Sequence, residues 1–520
     1  MSGNTIQILF AMGLYMAVVM GIGFHYAKRA NASSDDFLIG GRKIGPWVTA
    51  MGAEASDMSG WLLMGLPGVA YWFGLSDAVW TAIGLLIGTY LNWLFVSKRL
   101  RGYSTIAGDA ITIPDFFSNR FKEEKKVIAT IAALFVLAFF TVYAASCFVT
   151  VGKLFSTLFN LKYQHMMIAG ALFVICYTFI GGFLAESASD FMQGTVMFFS
   201  LVAVLIAGVA HAGGISAIID NVRNIPGFLQ FFGIAQPVLA EGVQRVGTSG
   251  KPLFGEAGSY GLLTVISTLS WGLGYFGMPQ VLLKFMAIRK TSELTLSRRI
   301  ATIWCAISLT AAVAIGIIGR ALFPATLLTQ SSAENIFIHL STTFFFPLIA
   351  GVVMAGILAA TISSSDSYLL IAASALSKSI YHGILRRDAK DKEILYISRI
   401  TLLIIAVLAI LLALDENSVI FTLVSFAWAG FGATFGPIML FSLFWKRVTR
   451  SGAIAGMLTG GGTVFIWKLL LKPLGGVFGI YELFPAFLIS SLVIVVVSCL
   501  SKEPSPEIQK EFELAKTFEC

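Results

Sequence analysis

Charged residues are scarce in this sequence. Only 12% of its 520 residues are Asp, Glu, Lys or Arg, whereas 57% are hydrophobic. A soluble globular domain carries about 25% charged residues. The composition therefore excludes an ordinary soluble enzyme and indicates a chain whose solvent is largely lipid.

Metal-binding and nucleotide-binding patterns are also lacking. The five cysteines show neither CxxC nor zinc-finger spacing, and the five histidines are scattered. No GxxxxGK[ST] loop occurs, and no motif indicates a catalytic set of His, Ser and Asp. We therefore expect no disulfide, no structural metal, no ATP-driven pump and no enzyme.

Long apolar runs are abundant. A helix of about 20 apolar residues crosses the hydrocarbon layer, and no alternating strand pattern recurs, so the chain is predicted to be an all-α polytopic membrane protein. The runs predict thirteen transmembrane helices within residues 1–501 and a short cytoplasmic tail at 502–520. The predicted spans lie near 6–26, 46–70, 75–96, 127–157, 165–184, 191–212, 258–280, 298–322, 345–381, 396–414, 419–445, 452–471 and 483–501.

Most of the 36 basic residues fall in alternate connections. They follow the first, third, seventh, ninth and eleventh predicted spans or lie in the tail, and Lys284 is assigned to the group after the seventh. Under the positive-inside rule this side faces the cytoplasm, which places the N-terminus outside and the C-terminus inside. The net charge of +8 then suits the anionic inner leaflet, and we expect no nucleic acid as a partner.

Two predicted spans interrupt their own helical pattern. The second contains AEASDMSG at 53–60, and the seventh contains LSWGLGYFGMP at 269–279, with three glycines and a proline. They lie five spans apart and therefore run in opposite directions. Because interrupted helices in matching positions of two inverted halves mark a transporter's binding site, we predict a five-plus-five inverted repeat over about 46–212 and 258–445.

Asp57 is the first candidate for a functional residue, because an ionisable group at membrane depth is costly. Either it caps the second half-helix with help from Ser56 and Ser59, or it takes part directly in binding a cation or solute. A broken helix also frees main-chain oxygens that suit a weakly bound hard cation. Ala55 and Met58 can offer only such oxygens.

The ninth predicted span carries hydroxyls and a carboxylate in ILAATISSSDSYLL. The serines either bond back to the preceding turn or face the second span. Ser363 and Ser364 follow Ala360 by three and four residues and therefore share its helix face. We expect these oxygens to complete a cation site with the carbonyls of the second span.

Glu186 and Asp190 fall in a predicted inner connection after the fifth span. A solvated loop position is the simpler interpretation for both. Asp190 alternatively lines the inner exit or pairs with Arg42.

Four aromatic residues near the interruptions are candidate walls of a solute pocket. Aromatic rings supply a large contact area with few rotatable bonds and a polar edge. Packing or a place in the interfacial belt is the alternative for each. The four are Trp61, Tyr143, Trp271 and Tyr275.

Several stretches, in the expected order, resemble the sodium/solute symporter family and within it the proline-transporting members. They are FLIGGRKIGPWVTAMGAEASDMSGWLLMGLPGVAY, FFTVYAAS, YTFIGGFLA, STLSWGLGYFGMPQVLLKFMA and ILAATISSS. The resemblance implies a LeuT-type fold with thirteen helices in a bacterial-type inner (plasma) membrane. It also implies secondary active, sodium-coupled uptake of L-proline by alternating access, with sodium as the coupling ion and no other cofactor or obligate protein partner.

The resemblance further implies roles for individual residues. Sodium ligands are implied at Ala55, Met58, Ala360, Ser363 and Ser364, with Asp57 needed for tight sodium binding. Proline contacts are implied at Ser59, Gly60, Trp61, Tyr143, Trp271, Tyr275 and Pro279. Arg42 and Asp190 match charged positions that are important for coupling and inner gating.

The sequence also departs from the proline-transporting pattern. Ser364 stands where threonine is common, Glu186 is an additional acidic residue, and Asp366 is unusual. Some relatives with a second sodium site use an Asp at the Asp190 position. A second cation site is therefore a further hypothesis, which a stoichiometry of one sodium per solute would remove; its residues are Asp190, Ser363, Asp366 and Ser367.

Two other functions stay open. A different small carboxylated solute, such as pantothenate, acetate or a sialic acid, would use the same kind of site, although the WGLGYFGMP run favours the compact ring of proline. A transporter-like membrane sensor is the second alternative. Only the tail at 502–520 follows the last predicted helix, and we expect it to be too short for a kinase domain.

Overall fold

The computed structural model describes residues 3–30 and 42–517, without the side chains at 26–30, 180–182 and 184. Residues 37–41 of the long motif and 518–520 of the predicted tail lie outside the described residues.

Helices dominate the described chain. In order they are α1 Gly3–Ala30, α2 Pro46–Gly60, α3 Leu66–Phe73, α4 Leu75–Leu91, α5 Ser97–Ile106, α6 Ile113–Arg120, α7 Val127–Phe159, α8 Tyr163–His211, α9 Ile215–Val222, α10 Leu262–Leu269, α11 Pro279–Ala287, α12 Leu294–Leu322, α13 Gln330–Ala333, α14 Ile336–Phe344, α15 Pro347–Ser374, α16 Asp391–Leu412, α17 Ile420–Phe444, α18 Arg450–Ile466, α19 Leu483–Leu500 and α20 Pro506–Thr517. Wider π-helical segments lie at Trp61–Gly65, Asn92–Val96, Ala375–Leu385 and Trp467–Leu471, and 3-10 segments at Ser270–Gly277, Thr291–Glu293, Lys472–Leu474 and Gly476–Gly479.

Ten of the described helices are long and apolar enough to cross a membrane. Tyr163–Phe179 and Leu262–Gly277 are shorter apolar helices, and the interrupted segment 46–73 adds one more. These segments follow the chain in the order of the predicted spans. The protein is a multi-pass, mostly helical membrane protein.

The predicted loop between the fifth and sixth spans is helical instead. Helix α8 runs as one helix of 49 residues from Tyr163 to His211. The acidic residues that suggested a loop, Glu186 and Asp190, lie within it and are buried. Inside the fold Lys284 pairs with both carboxylates, so they do not need to be exposed to water.

Helix α15 forms the centre of the fold. Every residue from 353 to 375 is buried, and α15 packs against α1, α2, α7 and α8. A helix that is covered on all sides belongs to the core. Large apolar side chains are exposed instead on α1, α16 and α19, as expected of helices that face lipid.

Glycines bring the third span close to the interrupted seventh span. A Cβ atom on Gly88 would lie 2.3 Å from the carbonyl oxygen of Gly272. Small residues allow this approach of two backbones, which is a common basis of helix packing in membranes. The 3-10 segment is therefore held against α4 by main-chain contact.

A buried ion pair anchors the segment between α12 and α15. Lys153 Nζ lies 2.7 Å from Glu334 Oε2, with 5% and 2% of the two side chains exposed. The two oxygens of Glu334 also accept the amides of Ile420 and Phe421, each at 2.9 Å. Glu334 thereby compensates the unsatisfied N–H groups at the start of α17.

A long connection joins α9 to α10. Two small antiparallel sheets lie between α9 and α10, with Gly233–Ile234 paired to Gly258–Ser259 and Leu239–Ala240 paired to Val243–Gln244. The predicted tail contains α20, which packs against α5.

Candidate functional site

The second span is interrupted at Ser59. This residue has φ 47° and ψ −171°, a conformation that is rare for a residue with a side chain. Its hydroxyl accepts the amide of Trp61 at 3.2 Å, which compensates part of the lost helical bonding. The predicted interruption is confirmed.

The seventh span is interrupted at Met278, between the 3-10 segment and α11. Met278 is extended, with φ −77° and ψ 108°, and Pro279 begins the next helix. A proline disfavours the helical conformation in the residue before it but suits the first helical turn. The sequence Met-Pro therefore accounts directly for the second predicted interruption.

Main-chain and hydroxyl oxygens converge where α2 meets α15. Ser363 donates to the carbonyl of Ala55 at 2.8 Å, and Ser364 donates to the same oxygen at 3.3 Å. Ser363 also lies 3.2 Å from the carbonyl oxygen of Ala360. Four of the five predicted sodium ligands thus lie together in a buried cluster, which we call the oxygen cluster. Hard monovalent and divalent cations prefer such oxygen ligands.

Met58 has a different neighbourhood. Its carbonyl accepts the amide of Trp61 across the interruption, and the residue lines a cavity next to the interruption.

Asp57 connects the two interrupted spans. It is 2% exposed, and its Oδ1 accepts a hydrogen bond of 3.2 Å from Gln280 Nε2 on α11. Its main-chain carbonyl faces the hydroxyls of Tyr143 and Tyr368, at 3.3 and 3.5 Å. Asp57 does not cap the second half-helix: Gly60 holds the cap position, and the side chain that accepts an amide there is Ser59, which bonds to Trp61.

A small cavity lies beside Asp57 and Met58. Three predicted aromatic residues, Trp61, Tyr143 and Trp271, belong to its wall, and Leu85, Val424 and Trp428 complete it. The ring centroids of Trp61 and Trp271 are 5.6 Å apart, and those of Trp271 and Trp428 are 5.9 Å apart. The wall is thus largely aromatic with one carboxylate, a combination that suits a small amphipathic solute.

The other predicted solute contacts surround this cavity rather than line it. Tyr275 packs edge-on against Trp428 with the ring centroids 5.0 Å apart. A Cβ on Gly60 would lie 2.4 Å from Thr150 Cγ2, so Gly60 permits a close approach of α7. Ser59 and Pro279 lie at the two interruptions.

A second polar cluster lies one turn of α15 away from the oxygen cluster. Lys284 Nζ lies 2.9 Å from Asp190 Oδ2 and 3.0 Å from Glu186 Oε1, and all three side chains are buried. Ser367 on α15 donates to Glu186 Oε1, and Asp366 Oδ1 accepts the amide of Ser367. The assignment of Lys284 to a cytoplasmic loop and the solvated interpretation of Glu186 and Asp190 are therefore wrong.

Arg42 does not contact Asp190, the predicted partner, but bonds to other groups. Its guanidinium bonds to Asp109 at 3.0 Å, to the Ala110 carbonyl at 2.7 Å and to the Met286 carbonyl at 2.9 Å. The carboxylate of Asp190 pairs with Lys284 rather than with Arg42. Arg42 therefore ties the C-terminal end of α11 to the loop before α6.

Sequence reasoning missed Gln280, Trp428 and the ion-pairing role of Lys284. Gln280 and Lys284 are polar residues in the otherwise apolar run PQVLLKFMA, and that contrast was the available signal. Trp428 gave no signal of its own, because an isolated tryptophan in an apolar helix is ordinary.

Known proteins resemble this chain over most of its length. The model of the sodium:solute symporter family matches residues 37–460. Two sodium/proline symporters from strains of Staphylococcus aureus are each 40% identical over 511 residues, which cover 97% of this chain and 95% of theirs.

Solved structures show the same fold. A Na⁺-coupled sialic acid symporter in a substrate-bound outward-open state matches with a TM-score of 0.75 at 16% identity, over 96% of this chain and 99% of that one. A nucleobase-cation-symport-1 family transporter in a closed conformation matches with a TM-score of 0.53 at 13% identity, over 92% and 98%. At these identities the likeness concerns the fold alone, which is that of LeuT-type transporters. Together with the match of the family model, these results establish that the chain is a transporter and belongs to the sodium:solute symporter family.

Proposed function

We propose that this protein couples the uptake of L-proline to the entry of sodium by alternating access. The observation that carries the proposal is the meeting of the Ala55 carbonyl with the Ser363 and Ser364 hydroxyls beside the interrupted second span. An ion site at that position lies next to the aromatic cavity, so the occupancy of one affects the shape of the other.

Sodium takes its ligands from the oxygen cluster and from the neighbouring Met58 carbonyl. The carbonyls of Ala55, Met58 and Ala360 and the hydroxyls of Ser363 and Ser364 supply neutral oxygens, and Asp57 supplies a nearby negative charge. An ion that replaces the present hydroxyl-to-carbonyl bonds joins α2 to α15 more strongly than those bonds do. Sodium shifts the transporter population toward the state in which α2 and α15 are joined. The size of this shift is set by how much more tightly sodium binds that state than the other.

Proline occupies the aromatic cavity, which must widen to admit it. Its carboxylate faces the start of the second half-helix, where the helix dipole favours negative charge. Its ring packs between Trp61, Tyr143 and Trp271. Ser59, Gly60, Tyr275 and Pro279 support this pocket by fixing the two interruptions. The name of the relatives that share 40% of the sequence favours proline over other carboxylated solutes.

The architecture that goes with this mechanism has thirteen spans, with a five-plus-five inverted repeat over about 46–212 and 258–445. Its support is the pair of interruptions at Ser59 and Met278, five spans apart. The distribution of basic residues supports an N-terminus outside and a tail in the cytoplasm of a bacterial-type cell.

Arg42 and Asp190 close the cytoplasmic side. Both act on α11, the inner half of the seventh span: Arg42 through the Met286 carbonyl and Asp190 through Lys284. Release of the solute to the inside requires α11 to move, and therefore requires these contacts to rearrange.

The sodium gradient supplies the energy. One charge moving down a membrane potential of 100 mV contributes about 2.3 kcal/mol, which supports a solute concentration ratio of about fifty.

Counterflow in proteoliposomes tests the proposal. Vesicles loaded with unlabelled proline should take up radiolabelled proline when sodium is present and should not when choline replaces sodium. The Asp57→Asn variant is the matched control and should require a much higher sodium concentration. Counterflow of labelled pantothenate, acetate or sialic acid in place of proline would assign a different solute. Counterflow without sodium would show that transport is not coupled to sodium.

A further inference from the structure

Lys284 places a positive charge deep in the fold, one helical turn from the oxygen cluster. Its side chain is 1% exposed. Besides Glu186 and Asp190, its ammonium contacts the Ser187 hydroxyl at 3.3 Å and lies 4.7 Å from the centroid of the Phe183 ring. The ammonium therefore has the surroundings of a bound cation rather than those of a snorkelling lysine.

The carboxylates around this ammonium have the arrangement of a cation site. One oxygen from each of Glu186, Asp190 and Asp366 can be chosen so that all three lie within 4.8 Å of one another. Glu186 Oε2, Asp190 Oδ1 and Asp366 Oδ2 are buried and accept no hydrogen bond from the described residues. Buried carboxylate oxygens of this kind require a compensating cation or donor.

The charge balance of the cluster is the same with either kind of cation. Three carboxylates and one ammonium carry a formal charge of −2, and three carboxylates and one sodium ion carry the same charge. The ammonium thus fills a role that a mobile monovalent ion could fill. Two monovalent cations held so close together would repel each other.

We propose that the Lys284 ammonium is the resident cation of a second cation position formed by Glu186, Asp190 and Asp366. The ammonium limits the transporter to one mobile sodium ion per solute. Its removal allows a second sodium ion to bind. This inference rests on the proposed function, since it concerns the number of ions coupled to the solute. It also revises the predicted second site: Glu186 joins it, and Ser363 belongs to the oxygen cluster through its bond to Ala55.

The ratio of sodium to proline entry tests this inference. Purified protein in proteoliposomes is supplied with ²²Na⁺ and tritiated proline, and initial fluxes are compared in the unmodified protein, Lys284→Gln and Lys284→Arg. We expect a ratio of about one for the unmodified protein and for Lys284→Arg, which keeps the charge, and about two for Lys284→Gln, with a sodium dependence that becomes sigmoidal. Removing one carboxylate as well, in Lys284→Gln/Asp366→Asn, should return the ratio to about one.

A ratio of about two in the unmodified protein would overturn the inference, because ammonium and sodium would then share the cluster. This measurement needs no variant and therefore decides the question even if Lys284→Gln does not fold. A ratio of about one in a folded, transporting Lys284→Gln would overturn it as well.

A binding measurement separates this inference from the proposed function. Sodium raises the melting temperature of a protein that binds it, whatever the solute is. Ser363→Ala should reduce the sodium-induced rise, and Lys284→Gln/Ser363→Ala should regain it through the second position. If proline is not the solute but this pattern appears, only the proposed function fails. If proline counterflow depends on sodium but the double variant shows no gain over Ser363→Ala, only the present inference fails.

Discussion

The carboxylate of Asp57 and the side-chain amide of Gln280 are joined by a hydrogen bond of 3.2 Å, and each residue lies within two positions of a helix interruption. The bond crosses between the two interrupted spans. A charged acceptor strengthens such a bond and makes its loss more costly in a buried setting. Asp57 and Gln280 therefore hold the two interruptions in a fixed relation beside the cavity.

Replacing Gln280 with Leu should weaken sodium binding. The substitution leaves Asp57 Oδ1 without this donor, which disturbs the charge next to the oxygen cluster. We expect the sodium concentration for half-maximal proline uptake to rise about tenfold, since the loss of a hydrogen bond to a buried charge costs about 1.5 kcal/mol or more. In a double-mutant cycle with Asp57→Asn, the effects of the two substitutions should not add. Additive effects, or an unchanged sodium requirement in Gln280→Leu, would contradict the coupling.

Two neighbouring serines of α15 should control the sodium requirement, and a third should not. Ser363→Ala and Ser364→Ala each remove a hydroxyl that bonds to the Ala55 carbonyl. Ser365 bonds instead to the Thr361 carbonyl of its own helix, at 2.5 Å, so Ser365→Ala is a matched control. We expect the half-saturating sodium concentration to rise about tenfold or more in the first two variants, with little change in maximal uptake.

Normal sodium dependence in both Ser363→Ala and Ser364→Ala would show that the oxygen cluster is not the sodium site. An equal shift in Ser365→Ala would point to a general loss of helix packing instead.

Trp428 should affect solute affinity rather than sodium affinity. Its indole Nε1 donates to the Trp271 carbonyl at 2.8 Å and so fixes the cavity wall. Trp428→Phe keeps an aromatic ring but loses the donor, and we expect the KM for proline to rise about fivefold at saturating sodium. Trp467, whose Nε1 donates to the Phe478 carbonyl at 3.1 Å away from the cavity, provides the control variant Trp467→Phe. A similar rise in KM for both variants would show that the effect does not come from the cavity.

The sequence allowed prediction of both interruptions and of most of the oxygen cluster because each depends on local chemistry. Met278 is extended because Pro279 follows it, and Ser363 and Ser364 share a face with Ala360 through helical spacing alone. Such features follow from neighbours along the chain. The convergence of that face on Ala55 needed one further step, the assumption that the two spans meet.

The partners of Lys284, Asp57 and Arg42 could not be predicted in this way. Each side chain is satisfied by a residue from another helix, and the pairing depends on the rotation and depth of both helices. A difference of one helical residue turns a side chain by about 100° and moves it to another neighbour. Glu186 and Asp190 show the consequence: their charge suggested a loop in water, whereas a lysine nearly a hundred residues away holds them inside a helix.

The ion pair between Lys153 and Glu334 should stabilise the fold, and removing one partner should cost more stability than replacing both. Both side chains are almost fully buried, and removing one partner leaves the other charge uncompensated. We expect Lys153→Met to lower the free energy of unfolding by about 3 kcal/mol, measured in detergent with a thermal or denaturant assay. Lys153→Met/Glu334→Gln should lose less than that, because the remaining amide is neutral and its oxygen can still accept one amide at the start of α17. A double variant that is less stable than Lys153→Met would show that the carboxylate stabilises the fold mainly through Ile420 and Phe421 and not through the lysine.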